Sequence, residues 1–124
     1  MIQKVLLVDD EADIRTIGEI CLSRVGGWRT VLAGGGVEAV ALAISEQPDV
    51  ILLDVMMPVV DGPETLRRLR ADVRTAHIPV VFLTARVHRG DLRDYLARGA
   101  VGAIPKPVDP MRLAADVARL VGTR

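Results

Sequence analysis

The sequence predicts an α/β domain in which a doubly wound, five-stranded parallel sheet carries helices on both faces. Short apolar runs alternate with helical patterns along all 124 residues, which gives five strand–helix repeats. A chain of this length fits one domain, and we predict a single domain over residues 1–124. Repeated strand–helix units in one short domain favour parallel strands that are covered on both sides.

Five apolar runs predict the strands. They are Lys4 to Val8, Arg29 to Ala33, Val50 to Leu53, Pro79 to Leu83 and, more weakly, Val101 to Ile104. Helical spacing of apolar residues predicts the segments between them. The first helix runs from Ala12 to Val25 with a stripe of Ile14, Ile17, Cys21 and Val25, and the second carries Val37, Val40, Ala41 and Ile44 and ends near Pro48.

The last three helices have clear sequence signals at their ends. Gly62-Pro63 opens the third helix, which carries Leu66 and Leu69. The fourth carries Leu92 and Leu96, and Gly99 can cap its carboxyl end. The fifth should begin at Asp109-Pro110, with Asp as N-cap and Pro in the first turn, and should bury Leu113, Val117, Leu120 and Val121.

This pattern favours the flavodoxin-like strand order 2-1-3-4-5. Ligands in such folds bind beyond the carboxyl ends of the strands, at the switch point between strands 1 and 3. Asp9 and Asp10 follow the first strand, and Asp54 follows the third. We therefore expect the three acids to lie together at the predicted ligand site.

The composition excludes several classes of function. Sixteen basic residues balance sixteen acidic ones, whereas a general nucleic-acid-binding surface needs a basic patch. Trp28, Tyr95 and Phe82 are the only aromatic residues, too few for stacking on single strands. Cys21 is the only cysteine and is interpreted as a core residue. No run resembles a signal peptide or membrane span, so we expect a cytoplasmic protein without membrane partners.

Three neighbouring carboxylates repel one another unless a cation joins them. Oxygen ligands alone suit a hard ion such as Mg²⁺, which often has phosphate partners. Thr84 follows the fourth strand and Lys106 the fifth, so a hydroxyl and a long cationic side chain should reach the same edge. This set suits phosphoryl transfer to an aspartate, because a metal and a Lys can offset charge on the phosphoryl oxygens.

Four ordered stretches, VLLVDDEADIR, DVILLDVMMPVVDGPE, PVVFLTA and GAVGAIPKPVDP, closely resemble the receiver domain of two-component response regulators. The resemblance covers nearly the whole chain. It implies that Asp54 accepts a phosphoryl group from a sensor histidine kinase or a histidine phosphotransfer protein, and that a downstream target protein reads the result. The resemblance also implies a self-phosphorylating phosphoacceptor that removes its own phosphoryl group, rather than a classical enzyme.

The resemblance also assigns the other site residues. Asp10, Asp54 and the backbone carbonyl of Met56 would bind Mg²⁺, and Asp9 would act mainly through water. Thr84 would contact the attached phosphoryl group and Lys106 would pair with it. A cis bond is expected at the step from Lys106 to Pro107.

Two positions depart from the family pattern. Ala103 stands where many receivers have the Tyr or Phe of a rotamer switch, and Val108 replaces the familiar Phe. Loop or backbone shifts are therefore expected in place of an aromatic flip. Met56 and Arg86 occupy positions that tune dephosphorylation in the family.

Simpler interpretations exist for each residue alone. Asp10 could be only an N-cap, Asp54 or Thr84 a turn residue, and Lys106 a surface charge. Two rival functions also remain, a receiver-like module that docks independently of phosphate, and a Mg²⁺ phosphohydrolase acting on a separate substrate. The complete set of acids, Thr and Lys argues against the docking module. The absence of a second acid placed as a general acid after Asp54 argues against the phosphohydrolase, since Met56 occupies the near position.

Overall fold

A computed structural model describes residues 1–85 and 89–122 of the chain. It contains five parallel strands in the order β2-β1-β3-β4-β5, which confirms the predicted order. The strands are β1 Lys4–Val8, β2 Arg29–Ala33, β3 Val50–Asp54, β4 Val80–Thr84 and β5 Gly102–Pro105. The helices are α1 Ala12–Ile20, which continues as a π-helical segment Cys21–Val25, then α2 Gly36–Glu46, α3 Gly62–Ala71, α4 Arg89–Ala97 and α5 Leu113–Gly122.

The strand register brings the predicted site residues to one edge. Val8 of β1 pairs with Leu53 of β3, so the acids that come next on the two chains are neighbours. On the other side of β3, Asp54 pairs with Leu83. The carboxyl ends of β1, β3 and β4 therefore meet at a common edge of the sheet.

Each face of the sheet has its own apolar core, so helices cover both faces as predicted. One core joins the sheet to α2, α3 and α4, and it includes Ala39, Leu66 and Tyr95. The other joins it to the π-helical continuation of α1 and to α5, and it includes Leu22 and Leu113. Central strands buried on both sides explain why β1, β3 and β4 are almost continuously apolar.

The predicted apolar stripe of the first helix is only partly correct. Cys21 is buried as expected, and burial raises the pKa of its thiol. Ile17 and Val25, by contrast, are 48% and 46% exposed. The buried positions include Gly18 and Leu22, because Gly18 packs directly on Leu7 and the π-helical turn rotates the residues that follow.

The stripe predicted for α2 is displaced in the same way. Val37 is 63% exposed and Ala41 is also exposed, whereas Gly36, Ala39 and Ala43 are buried. A Cβ atom on Gly36 would collide with the Thr65 hydroxyl and with Val60 on the adjoining loop and helix. The buried face of α2 therefore consists of small residues, and at Gly36 only glycine allows the close approach of α3 and the loop before it.

The ends of α4 and α5 show one confirmed and one corrected prediction. Gly99, with φ of 103°, caps α4: its N–H donates to the Leu96 carbonyl, and the next N–H reaches the carbonyl of Tyr95. The fifth helix begins at Leu113 and not at Asp109-Pro110. Asp109 instead organises the preceding turn, because its carboxylate accepts from the Met111 N–H at 3.0 Å.

Across residues 1–85 and 89–122, none of the helices combines the length and the apolar character that a membrane crossing requires.

Candidate functional site

The site lies where β1 and β3 end. The carboxylates of Asp9, Asp10 and Asp54 each offer an oxygen, and these oxygens lie within 4.8 Å of one another. Asp9 and Asp54 are buried, whereas Asp10 is exposed. The predicted clustering of the three acids is thus confirmed. Their arrangement can hold a hard cation that keeps part of its shell open to water.

Lys106 reaches into this acidic cluster from the end of β5. Its Nζ donates to Asp9 Oδ2 at 2.8 Å and lies 3.1 Å from Asp54 Oδ1. Burial by itself lowers the pKa of Lys106, but the hydrogen bonds and charges of the two acids outweigh it and raise the pKa overall. The side chain is therefore a permanent cation shared by two carboxylates, and not a surface charge.

Asp54 experiences opposing electrostatic effects. Its burial is the largest influence and raises the pKa of the carboxyl, and the nearby Asp9 charge acts in the same direction. Hydrogen bonds from Lys106 and from the Met56 N–H lower the pKa but do not fully compensate. A carboxylate whose charge is incompletely balanced is suited to bind a cation.

Every polar atom of Asp9 takes part in a hydrogen bond. Its Oδ1 accepts from the Glu11 N–H at 2.9 Å, its own N–H donates to the Ala33 carbonyl, and its carbonyl accepts from Arg15 at 2.6 Å. The N-cap position of α1 is Glu11, without a side-chain cap. The alternative in which Asp10 serves only as an N-cap is therefore wrong.

Thr84 and Met56 lie next to the acids. Thr84 ends β4, is 3% exposed, and pairs in register with Pro105. The Thr84 carbonyl accepts from the Lys106 N–H at 2.9 Å, which fixes the strand end that carries the lysine. The Met56 N–H donates to Asp54 Oδ1 at 3.2 Å, and its side chain is 78% exposed.

Two residues support the site through contacts that the sequence does not predict. A Cβ on Gly62 would lie 2.5 Å from the Asp54 carbonyl oxygen, so only glycine lets α3 begin against the strand that carries Asp54. The Asp61-Gly62-Pro63 sequence marks that position as a helix start, but not as a close contact. The Arg15 side chain donates a hydrogen bond to the backbone carbonyl of Asp9, a contact that no local sequence signal reveals.

The positions that depart from the receiver pattern pack against the two apolar cores. Ala103 is half-buried and packs against the core that contains α2, α3 and α4, and Val108 packs against the other core. The peptide bond from Lys106 to Pro107 is cis, as predicted. Arg86, the other position linked to dephosphorylation, lies outside the described residues.

Comparison with known proteins identifies the family. The family model described as response regulator receiver domain matches residues 5–118, and the chain therefore belongs to this family. The chain is 40% identical over 121 residues to the response regulator PleD of Caulobacter vibrioides, an alignment that covers 97% of this chain and 26% of PleD. It spans about half the length, or less, of the curated relatives it matches.

Solved structures agree with this assignment. The chemotaxis response regulator CheY4 of Vibrio cholerae is 32% identical, with a TM-score of 0.89 over 97% of this chain and 99% of that one. The receiver domain of sensor histidine kinase PA1611 from Pseudomonas aeruginosa is also 32% identical, with a TM-score of 0.85 over 98% and 99% of the two chains. That structure has a magnesium ion coordinated in its active site cleft.

Proposed function

We propose that this receiver domain accepts a phosphoryl group on Asp54 from a phosphohistidine donor, in a Mg²⁺-dependent reaction, and that the modified state signals to a downstream protein. The donor would be a sensor histidine kinase or a histidine phosphotransfer protein. The observation that carries the proposal is the buried Asp54 carboxylate, which lies within reach of two further acids and 3.1 Å from the Lys106 ammonium.

The chemistry needs a carboxylate nucleophile. A carboxylate oxygen of Asp54 would form a bond to phosphorus while the bond from phosphorus to the donor's histidine nitrogen breaks. That nitrogen keeps the electron pair, so the donor is left with an ordinary imidazole. Asp54 must be ionised to attack, and a cation beside it favours the ionised form against the effect of burial.

The donor set fits Mg²⁺, because it offers only oxygen ligands and three of them converge within 4.8 Å. Asp10, Asp54 and the Met56 carbonyl would hold the ion, with Asp9 acting mainly through water. When bound, the ion supplies positive charge beside the phosphoryl oxygens.

Lys106 and Thr84 have separate roles in the proposal. Once the Asp54 carboxylate has become an acyl phosphate, its own attraction for Lys106 falls, and the ammonium is free to pair with a phosphoryl oxygen. Thr84, at the end of the neighbouring strand, would donate its hydroxyl to another phosphoryl oxygen. Exchange of these partners would bias the loops after β3, β4 and β5 between two arrangements. Because Ala103 replaces an aromatic, the change would not need a ring flip.

A groove beside the site offers room for a protein donor. It has a volume of about 430 Å³ and lies between α1 and the loop after β5, with Ile14, Ile17, Pro107 and Val108 among its lining residues. Lys106 forms part of the same wall, so a protein seated in the groove would lie next to Asp54.

The phosphoacceptor would be consumed once per transfer, which distinguishes the chain from a classical enzyme.

The test is the intact mass of the protein after incubation with acetyl phosphate, with and without Mg²⁺, beside an Asp54→Ala variant. We expect a single phosphoryl adduct that requires Mg²⁺ and is absent from the variant. A folded, Mg²⁺-bound protein without an adduct would contradict the proposal and favour a docking module that acts independently of phosphate. Catalytic turnover of a phosphomonoester would favour the phosphohydrolase alternative.

A further inference from the structure

Arg15 and Lys106 bind different groups of Asp9, at the acidic edge of the sheet. Arg15 lies in the first turns of α1 and is half-buried. Its Nη1 donates to the Asp9 carbonyl at 2.6 Å, whereas Lys106 contacts the Asp9 carboxylate at 2.8 Å. The guanidinium also covers the turn after β2, because a Cβ on Gly34 would lie 3.4 Å from Nη1. Arg15 thus bridges the ends of β1 and β2.

The Asp9 carbonyl belongs to the peptide group that leads into Asp10. The Asp9 and Asp54 carboxylates are each held by a backbone N–H and by Lys106. For the exposed Asp10 carboxylate, by contrast, the described part of the chain supplies no such hydrogen bond or ion pair. The direction of the Asp10 side chain is therefore set by its backbone, and Arg15 fixes the peptide group on its amino side.

We propose that Arg15 is a positioning residue for the metal site, which acts through the Asp9–Asp10 peptide group to aim the Asp10 carboxylate at the bound cation. This inference rests on the proposed Mg²⁺ dependence and deepens it. A purely electrostatic role for Arg15 would change the Mg²⁺ affinity in the opposite direction, because a second cation near the acids repels Mg²⁺. Removing the Arg15 charge would then tighten binding, whereas losing its positioning bond must weaken binding.

The experiment is a calorimetric titration with Mg²⁺ alone of the wild type and of Arg15→Met, Arg15→Lys and Arg24→Met. Arg24 is an exposed arginine in the π-helical continuation of the same helix, so its variant is the matched control. We expect Arg15→Met to raise the dissociation constant for Mg²⁺ about tenfold, as is usual when a residue that supports a ligand is removed. Arg15→Lys should lie between wild type and Arg15→Met, and Arg24→Met should match wild type.

Two further measurements separate positioning from general stability. The free energy of unfolding in EDTA should change much less than Mg²⁺ binding does. The rate of phosphorylation by acetyl phosphate should fall at low Mg²⁺ and recover at saturating Mg²⁺. If Arg15→Met does not fold, Arg15→Lys decides: weaker binding at unchanged stability supports the role, and wild-type binding overturns it.

Each remaining outcome is also decisive. Unchanged or tighter Mg²⁺ binding in Arg15→Met, or an equal loss in Arg24→Met, would overturn the role of Arg15 while leaving the proposed function intact. A folded wild-type protein that does not bind Mg²⁺ would overturn both.

Discussion

Burial and neighbouring groups shift the pKa of the Asp54 carboxyl in opposing directions. The folded protein raises the pKa of its carboxyl above 3.8, with desolvation as the main cause. The native state therefore binds this proton more tightly than the unfolded chain does. It follows that the contribution of Asp54 to stability decreases as pH rises from about 3.8 through the folded-state value. At neutral pH without metal, the ionised Asp54 carboxylate therefore lowers the free energy of unfolding.

Replacing Asp54 with Asn should accordingly stabilise the metal-free protein at pH 7. The amide has nearly the same shape, and Lys106 keeps its 2.8 Å partner, Asp9. We expect a gain on the order of 1 kcal/mol, the usual size of a single-substitution effect. Denaturant unfolding in EDTA from pH 4 to pH 8 measures it. The control is Asp13→Asn on exposed α1 surface, and a loss of stability specific to Asp54→Asn would show that the Lys106 pair outweighs desolvation.

Replacing Lys106 should instead lower the free energy of unfolding, because Lys106 is the cation that offsets two buried acids. Lys106→Met keeps the length of the side chain but leaves Asp9 and Asp54 to repel each other. We expect a loss of about 3 kcal/mol in EDTA, at the lower end for a broken buried pair because the lysine is 21% exposed. Mg²⁺ should restore more stability to this variant than to wild type, as measured by unfolding with and without the ion. Equal recovery in both would contradict the shared-charge interpretation.

At the scale of elements, the start of α3 is built against the phosphoacceptor strand. Asp61 is the N-cap and accepts from the Glu64 N–H at 2.9 Å, and Pro63 lies in the first turn. The Gly62 N–H donates to the Val55 carbonyl at 2.9 Å. The helix therefore holds the backbone that follows Asp54, and the atoms that a side chain on Gly62 would meet are backbone atoms that cannot move aside cheaply.

Gly62→Ala should destabilise the protein by about 2–3 kcal/mol, the cost of forced overpacking. It should also slow phosphorylation, since the strain falls on the Asp54 backbone. Gly90→Ala is the matched control, because nothing lies within 4 Å of its Cβ and it also lies in a helix. That variant should be neutral or more stable by up to about 1 kcal/mol. Similar thermal unfolding midpoints for the two variants would refute the close-contact argument.

At the scale of the whole molecule, the site joins segments that are far apart in the chain. Asp9 and Lys106 are separated by 97 positions and meet across the sheet edge. A cation bound there would contact acids that follow β1 and end β3 at once, and it would have no comparable site in the unfolded chain. Binding must therefore stabilise the entire fold through mass action.

Mg²⁺ at about 100 times its dissociation constant should raise the free energy of unfolding by about 2.7 kcal/mol. Because the pKa of Asp54 is raised, protons compete with the ion, and the gain should shrink as pH falls toward 4. Thermal unfolding with Mg²⁺ and with EDTA, at pH 7.5 and pH 4.5, measures both effects. Asp54→Asn should lose most of the gain, and a pH-independent gain would place the ion elsewhere.

The strands, and the acids, threonine and lysine at their ends, could be predicted from the sequence because they are local features: an apolar run marks a strand buried on both faces, and the residue that follows it lies at the sheet edge. The strand order followed from the repeated strand–helix pattern. Which helix faces are buried, and how the site is held, depend instead on tertiary packing. Gly18 and Gly36 lie where helices approach their neighbours most closely, and hydrophobic patterns overlook residues chosen for small size. The bonds of Lys106 and Arg15 to Asp9 likewise arise from packing between distant segments, which no spacing along the chain encodes.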